Sequence, residues 1–256
     1  MNKRYIQISI SILFYISLLL IVSFITSFPK FDFSGLFKMG VKFVDWLYSS
    51  FFIDFSFTLL RVILGFIIAL FLGVLTGILT GKYFFEFKGV ISGLNYLRAI
   101  TPVALAPIFL IILGVSEFSK ILLVSWGAFF PIWISTHIGI RALNLDLVIS
   151  SKLNGLTGFK AFTNFYLPAA ISSSYSGMRV AIGISYILVF ISESLGANYG
   201  VGYRLGNYYD TIQTPQMMNA LIVLGIMGLF SDKIFTYIYN YYFPWKNIKR
   251  INEDNN

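Results

Sequence analysis

The chain has 256 residues, of which 57% are hydrophobic and 12% charged, with a mean hydropathy of +0.78 and a net charge of +8. A soluble domain carries about 25% charged residues to keep its surface in water, so this composition leaves much of the surface to face lipid. No cysteine is present, which excludes disulfides, thiolate metal sites and cysteine nucleophiles; a single histidine, His137, leaves no cluster for zinc; and in so apolar a chain the positive balance reads as loops facing anionic lipid rather than nucleic acid.

Six stretches reach the length of about 20 apolar residues that a helix needs to cross the hydrocarbon core. They cover residues 6–26, 57–81, 89–113, 120–140, 177–195 and 216–239. Lipid offers backbone groups no partner, so each is expected to be helical and the fold all-α. Lys3 and Arg4 precede the first stretch as in a signal peptide, but the run is too long and no small-residue cleavage site follows, so it is read as an uncleaved span. Residues 27–56 mix Phe33, Leu36, Phe37, Val41, Phe43, Val44, Trp46 and Leu47 with charges, which fits either a helix lying on the membrane surface or a short core element.

The second span carries Gly65, Ala69, Gly73, Gly77 and Gly81, one every four residues, on one face where another backbone can come close. Gly177, Ala181 and Ser185 form a shorter stripe on the fifth. Such stripes imply a compact bundle, not a function. Gly77 to Lys82 has a faint likeness to a phosphate loop, but it is one residue short, Tyr83 stands where a Ser or Thr would bind magnesium, and it lies in a span. The third span holds Pro102 and Pro107 after Arg98 and Thr101, which predicts a bent or broken helix whose freed carbonyls can line a cavity. Arg98, Thr101, Pro102 and Glu193 are the candidate pathway residues. Glu193, near the end of the fifth span, needs a partner or water at membrane depth; it either pairs with Arg98 or Arg204 or contacts solute or a binding protein. Arg98 itself serves either an anionic solute or as an anchor at the interface. His137 reads as a packed histidine, since no carboxylate on its own helix offers a proton relay.

With the N-terminus in the cytoplasm, the inside segments hold Lys3, Arg4, Lys82, Lys88, Arg141, Lys152, Lys160, Arg179, Lys246, Lys249 and Arg250, and the outside segments Lys30, Lys38, Lys42, Lys120 and Arg204. That bias of eleven against five places both termini inside. Between the fourth and fifth spans, residues 144–168 then form a cytoplasmic loop. Asn144 or Asp146 caps a short helix, Asn154-Gly155 stops it with Gly155 left-handed, Thr157 caps a second helix bearing Phe159, Phe162, Phe165 and Tyr166, and Pro168 ends that helix.

This helix–glycine–helix unit resembles the "EAA" loop of bacterial ABC importer permeases, in which a glycine is followed at fixed spacing by Leu-Pro; Gly155 and Leu167-Pro168 match, while Ile149-Ser150-Ser151 stands where Glu-Ala-Ala is usual. The likeness extends beyond residue 56. TLLRVILG (58–65), LRAITPVALAP (97–107), GVSEFSK (114–120), FFPI (129–132), THIG (136–139), SESLG (192–196), GVGY (200–203), GIMGLFSD (225–232) and Pro244-Trp245 are similar to the nitrate, sulfonate and taurine branch. The resemblance implies a type I importer permease fold in a bacterial cytoplasmic membrane, with an N-terminal helix and extracytoplasmic segment (1–56), a five-span core (57–245) and a cytoplasmic tail (246–256). It also implies a separate ATPase gripping Ser150, Ser151, Lys152, Leu153, Gly155, Phe159, Phe162, Leu167 and Pro168, an extracytoplasmic solute-binding protein, and a second permease copy. No cofactor, metal or nucleotide site of the chain's own is expected. The solute of such relatives is nitrate, a sulfonate, taurine, bicarbonate or a vitamin precursor. The rival readings are a stand-alone secondary transporter or channel, which needs ionisable groups at mid-membrane that are sparse here, and a membrane enzyme, which needs a catalytic cluster.

Overall fold

The computed structural model describes residues 33–84 and 86–243; the first predicted span, residues 6–26, and the tail from residue 246 lie outside them. The described residues form helices joined by short turns. In chain order these are α1 (Phe33–Ser49), α2 (Phe51–Lys82), α3 (Lys88–Ala99), α4 (Pro102–Leu113), α5 (Glu117–Arg141), α6 (Leu145–Leu153), α7 (Gly158–Gly196), α8 (Val201–Asp210) and α9 (Thr214–Tyr242). Among the described residues, α2, α5, α7 and α9 are long and apolar enough to cross a membrane, and α3 with α4 makes a fifth crossing broken by a 92° bend. Five of the six expected spans are therefore met, and the first expected one, residues 6–26, lies outside the described residues.

The four long helices start earlier than their apolar windows. Runs of hydropathy stop at charges, whereas Asp54, at the start of α2, is buried and fully partnered, so the helix continues through it. The break in the third span falls at Ile100 and Thr101, where Thr101 takes an extended backbone and Pro102 opens α4. Proline lacks the N–H that an earlier turn would use, so it suits a first turn. Pro107 lies inside α4 without ending it. Gly114, at φ +72, then turns the chain into α5, where Ser116 and Ser119 form a reciprocal cap.

The four-residue stripe on α2 seats α5. A β-carbon on Gly65 would stand 2.6 Å from Val124, on Gly73 2.9 Å from Ile132, on Gly77 2.5 Å from Thr136 and on Gly81 2.9 Å from Ile140. Each pair is offset by the same 59 positions (124 − 65, 132 − 73, 136 − 77, 140 − 81), so α2 and α5 run parallel and in register. That direction requires one membrane crossing between them, which α3 and α4 supply. On its other side α5 meets α7 antiparallel: Gly127 lies against Leu188, and Gly139 against Ser173. Gly177, Ala181 and Ser185 of α7 are all buried, as their spacing predicts.

For the segment before α2 the core alternative holds in part, and at Pro168 the expectation changes. Helix α1 is a core element at its C-terminal end: Trp46 is buried, stands edge-on to Phe43 and Phe51, and donates its indole N–H to Asp54 at 3.0 Å. Pro168 does not end a helix. A wide turn at Phe162–Tyr166, closed by the Leu167 N–H on the Phe162 carbonyl, leaves Pro168 in the first turn of the regular helix that follows, and α7 runs on to Gly196. Arg179, counted above among the cytoplasmic charges, therefore lies well inside a membrane-length helix.

Candidate functional site

Three features carry chemistry. The first is the corner between α6 and α7. Asn144 caps α6, its side-chain oxygen accepting the Asp146 N–H at 3.0 Å. Thr157 makes no side-chain cap, contrary to expectation, and α7 opens on Gly158 at φ +54. Gly155 is left-handed at φ +74, as its place after Asn154 predicts. Leu153 is 83% exposed and Phe159 79% exposed on either side of that corner, with Ser150 and Lys152 also exposed. Ser151 is buried, and Phe162, Leu167 and Pro168 are partly buried, Phe162 and Leu167 packing on a cluster with Ala161 and Tyr166. The predicted loop residues thus divide into an exposed apolar tip and a packed base. Lys82 stacks over Tyr166 at 4.8 Å and Arg141 over Phe84 at 3.8 Å, so cations line this end of the bundle. Gly155→Ala is expected to cost about 1 kcal/mol, because a β-carbon resists positive φ; a thermal melt in detergent reads it, and an unchanged midpoint would mean the corner relaxes without strain.

The second feature is a charge network at the opposite end. Glu193 on α7 is fully buried, and its partner is Arg61 of α2, at 2.6 Å, rather than Arg98 or Arg204. Thr58 and the Gly202 N–H also donate to Glu193, at 2.9 and 2.8 Å. Gly200, at φ +132, lies so close that a β-carbon there would stand 2.5 Å from the Glu193 carboxyl group. Arg61 uses its remaining donors on the Tyr199 carbonyl at 2.9 Å and on Glu117 at 2.6 and 2.7 Å, and Glu117 also holds Lys120 at 2.9 Å. Arg204 belongs to a neighbouring network, pairing at 2.9 Å with Asp54, whose other oxygen accepts the Gly200 N–H at 3.0 Å. Sequence reasoning missed Arg61 and Asp54. A signal for Arg61 existed: it stands four residues before Gly65 and so continues the inward-facing stripe.

The third feature is a cavity of about 680 Å³ between α3, α4, α5 and α7, lined by Arg98, Pro102, Pro131, Ser135, Ser173 and Ser176 among others. Of the candidate pathway residues, Arg98 and Pro102 line it. Thr101 is exposed beside it without lining it, and Glu193 lies in the separate network. His137 lines neither: it is buried, with its Nδ1 3.1 Å from the Thr80 hydroxyl, which also accepts the Trp133 N–H at 3.1 Å. Thr80→Val removes both bonds and is expected to cost about 1–3 kcal/mol, measured as a lowered midpoint in the same melt.

A helical bundle of membrane-length helices with one broken span is the architecture of a multi-pass membrane protein. Residues 73–247 match the family of binding-protein-dependent transport system inner membrane components, and the chain belongs to that family. It is 33% identical over 141 residues to the aliphatic sulfonates transport permease protein SsuC of Escherichia coli, covering 55% of this chain and 54% of that protein. It is 30% identical over 181 residues to the nitrate import permease protein NrtB of Synechocystis, covering 71% and 66%. The aligned region thus spans about half of the first relative and about two thirds of the second. A chain from the MetNI methionine ABC transporter in inward facing conformations superposes with a TM-score of 0.53 at 20% identity, over 73% of this chain and 91% of that one. The shared fold is that of the type I ABC importer permease.

Proposed function

We propose that this chain is one half of the pore of an ATP-driven importer, paired with a second copy around a central pathway and coupled to a separate ATPase through the corner at Gly155. The observation that carries this reading is the pair of bare apolar side chains, Leu153 and Phe159, at a corner fixed by a left-handed glycine. Large apolar groups held outward on short helices mark a protein interaction site. The surrounding Lys82, Arg141, Lys152 and Lys160 support a cytoplasmic position for that end, and with Arg179 moved into a span the count still stands at ten inside against five outside (11 − 1 = 10). Both termini are then cytoplasmic. Residues 192–210, at the other end, face the extracytoplasmic binding protein that delivers solute.

Force reaches the bundle because the corner is not a free loop. The packed base, Phe162 and Leu167, sits on the same core as α2, and α7 continues from it without a break, so a push at Gly155 moves α7 as a rod. Closure of the ATPase on ATP would rock α7 and α5 and alternate access to the cavity. SsuC and NrtB are named for aliphatic sulfonates and nitrate, both small anions, and Arg98 at the cavity suits such a solute.

The test is capture of the cognate ATPase by the detergent-solubilised chain. Leu153→Glu with Phe159→Glu is expected to weaken capture at least about a hundredfold, since two central contacts each contribute on the order of 2 kcal/mol. These point changes spare the packed base, which deletion of residues 150–168 would remove. Undiminished capture would leave the ATPase without this docking point and overturn the reading.

A further inference from the structure

We infer that the groove between α2, α7 and α9 binds an acyl chain of an anionic phospholipid, with Lys82 at its mouth taking the phosphate of the headgroup. The inference goes beyond the permease reading and rests only on the orientation proposed with it, which puts the Gly155 end in the cytoplasm. The groove holds about 560 Å³ and lies on the opposite face of α7 from the cavity that Arg98 lines. Its walls are Phe71 and Leu75 of α2 and Ile238 and Tyr242 of α9, and its floor is Ile171 and Met178 of α7. Phe66 of α2 and Phe235 of α9 stand edge-on at 6.0 Å and join the two walls. Every lining side chain is aliphatic, aromatic or a thioether.

Size and charge together choose the occupant. The lining runs from Ile67 to Leu75 on α2, from Phe235 to Phe243 on α9 and from Phe162 to Met178 on α7, so the groove is about 12–24 Å long at the helical rise. Its volume over that length leaves a cross-section of roughly 25–45 Å², well under the roughly 80 Å² of a helix about 10 Å across. A single hydrocarbon chain fits such a slot, and a further transmembrane helix does not. Lys82 falls on the same face of α2 as Phe71 and Leu75, seven residues past Leu75 and so about 10 Å further toward the cytoplasm. Its ammonium lies 4.7 Å from the Tyr83 ring centre and 4.8 Å from that of Tyr166, which precedes the groove residue Leu167. These rings hold the cation without cancelling its charge, and it makes no ion pair among the described residues. Tyr242, 65% exposed at the same end of α9, carries a hydroxyl suited to a phosphate oxygen. The sequence just past Phe243 adds Lys246, Lys249 and Arg250. Cations beside an apolar slot at the cytoplasmic boundary match the anionic lipid of that leaflet.

The test uses the full chain, extracted in mild detergent, stripped of lipid and titrated with dioleoylphosphatidylglycerol or dioleoylphosphatidylcholine. The two lipids share their chains and differ in net charge, and native mass spectrometry reads the lipid retained. One phosphatidylglycerol per chain is expected to bind about fivefold tighter than phosphatidylcholine, the effect of one lysine near an anionic headgroup. Lys82→Gln removes most of that preference. Leu75→Trp fills the slot and loses both lipids, and Ile238→Trp does so from the α9 wall where Leu75→Trp fails to fold. Leu72→Trp, exposed on α2 outside the groove, is the matched control and keeps both. Equal retention by Leu75→Trp, Ile238→Trp and Leu72→Trp would overturn the inference. So would equal affinity for the two lipids. An unaltered chain that retains neither lipid would mean that residues 6–26 or a second copy close the groove, and would overturn it as well. ATPase capture lost beside intact lipid retention would remove the permease reading alone; capture kept beside lost retention would remove only this site.

Discussion

Arg61→Met is expected to destabilise the folded chain by about 3–5 kcal/mol, the range for leaving one member of a buried pair alone. Arg61 is buried and serves four acceptor atoms on two helices and a turn: Glu193 on α7, both carboxylate oxygens of Glu117 on α5, and the Tyr199 carbonyl. Methionine fills much of the same volume and supplies none of these donors. Glu193 would keep only Thr58 and the Gly202 N–H against a full charge with no exposure to solvent. At roughly 2–4 °C per kcal/mol for a chain of this size, the thermal midpoint in detergent should drop by roughly 10 °C. Glu193→Gln should cost less, since Arg61 keeps Glu117 and the amide carries no charge. Lys120→Met should cost least, because its partner Glu117 is 52% exposed and water can solvate it. An order in which Lys120→Met matches Arg61→Met would show that the Arg61–Glu193 pair adds nothing beyond the exposed one.

The network also explains why the Glu193 end of the bundle is built as it is. Helix α8 sets Val201 and Leu205 into the core, and its start is also tied down by polar bonds: the Gly200, Val201 and Gly202 N–H groups donate to Asp54, Thr58 and Glu193. A helix start presents just such unpaired donors and favours a carboxylate near them. The gap between α7 and α8 must then be narrow, which is why Gly200 tolerates no side chain over the Glu193 carboxyl group.

How far the sequence foretold this arrangement depends on the range of the interaction. The break at Pro102, the left-handed Gly155 and the packing face of α2 follow from one residue type or one helical period, and all three are where the pattern puts them. The ends of the long helices did not follow, because hydropathy treats Asp54 as a stop while the fold satisfies it with four bonds from Trp46, Ser50, Gly200 and Arg204. The partner of Glu193 is a matter of helix phase: among Arg61, Arg98 and Arg204, only Arg61 shares the inward stripe with Gly65 and Ala69. Pro168 misled for a different reason. Proline predicts an end when the turn before it is a regular one, and the wide turn at Phe162–Tyr166 removes that condition. The pairing of Arg179 with Asp232 was hidden by the same error, since a helix starting near residue 177 leaves Arg179 at its end, whereas one starting at Gly158 carries it along α7 beside α9.

Gly77→Leu is expected to prevent α2 and α5 from docking, seen as loss of the folded, monodisperse chain from membranes, and Gly77→Ala isolates the reason. Alanine gains about 1 kcal/mol over glycine in a helix interior. Against that, its β-carbon would stand 2.5 Å from the Thr136 Cβ and 3.1 Å from the Trp133 carbonyl oxygen, both fixed close to the α5 backbone and neither the end of a flexible side chain. Forcing the helices apart costs about 1–3 kcal/mol for one methyl group, and the constant 59-residue register means the shift cannot stay local: Gly65, Gly73 and Gly81 lose their contacts with the same movement. Overpacking should therefore win, and Gly77→Ala should lower the thermal midpoint. Gly93→Ala on α3 is the matched case, with open space around its α-carbon and only the helical gain in play, so its midpoint should hold or rise. If the two alanines shift the midpoint alike, close approach along the stripe is not what holds α2 to α5. The side-chain bond between those helices toward their C-terminal ends, Trp133 to Thr80, would then have to carry the interface, and Thr80→Val would become the more damaging change.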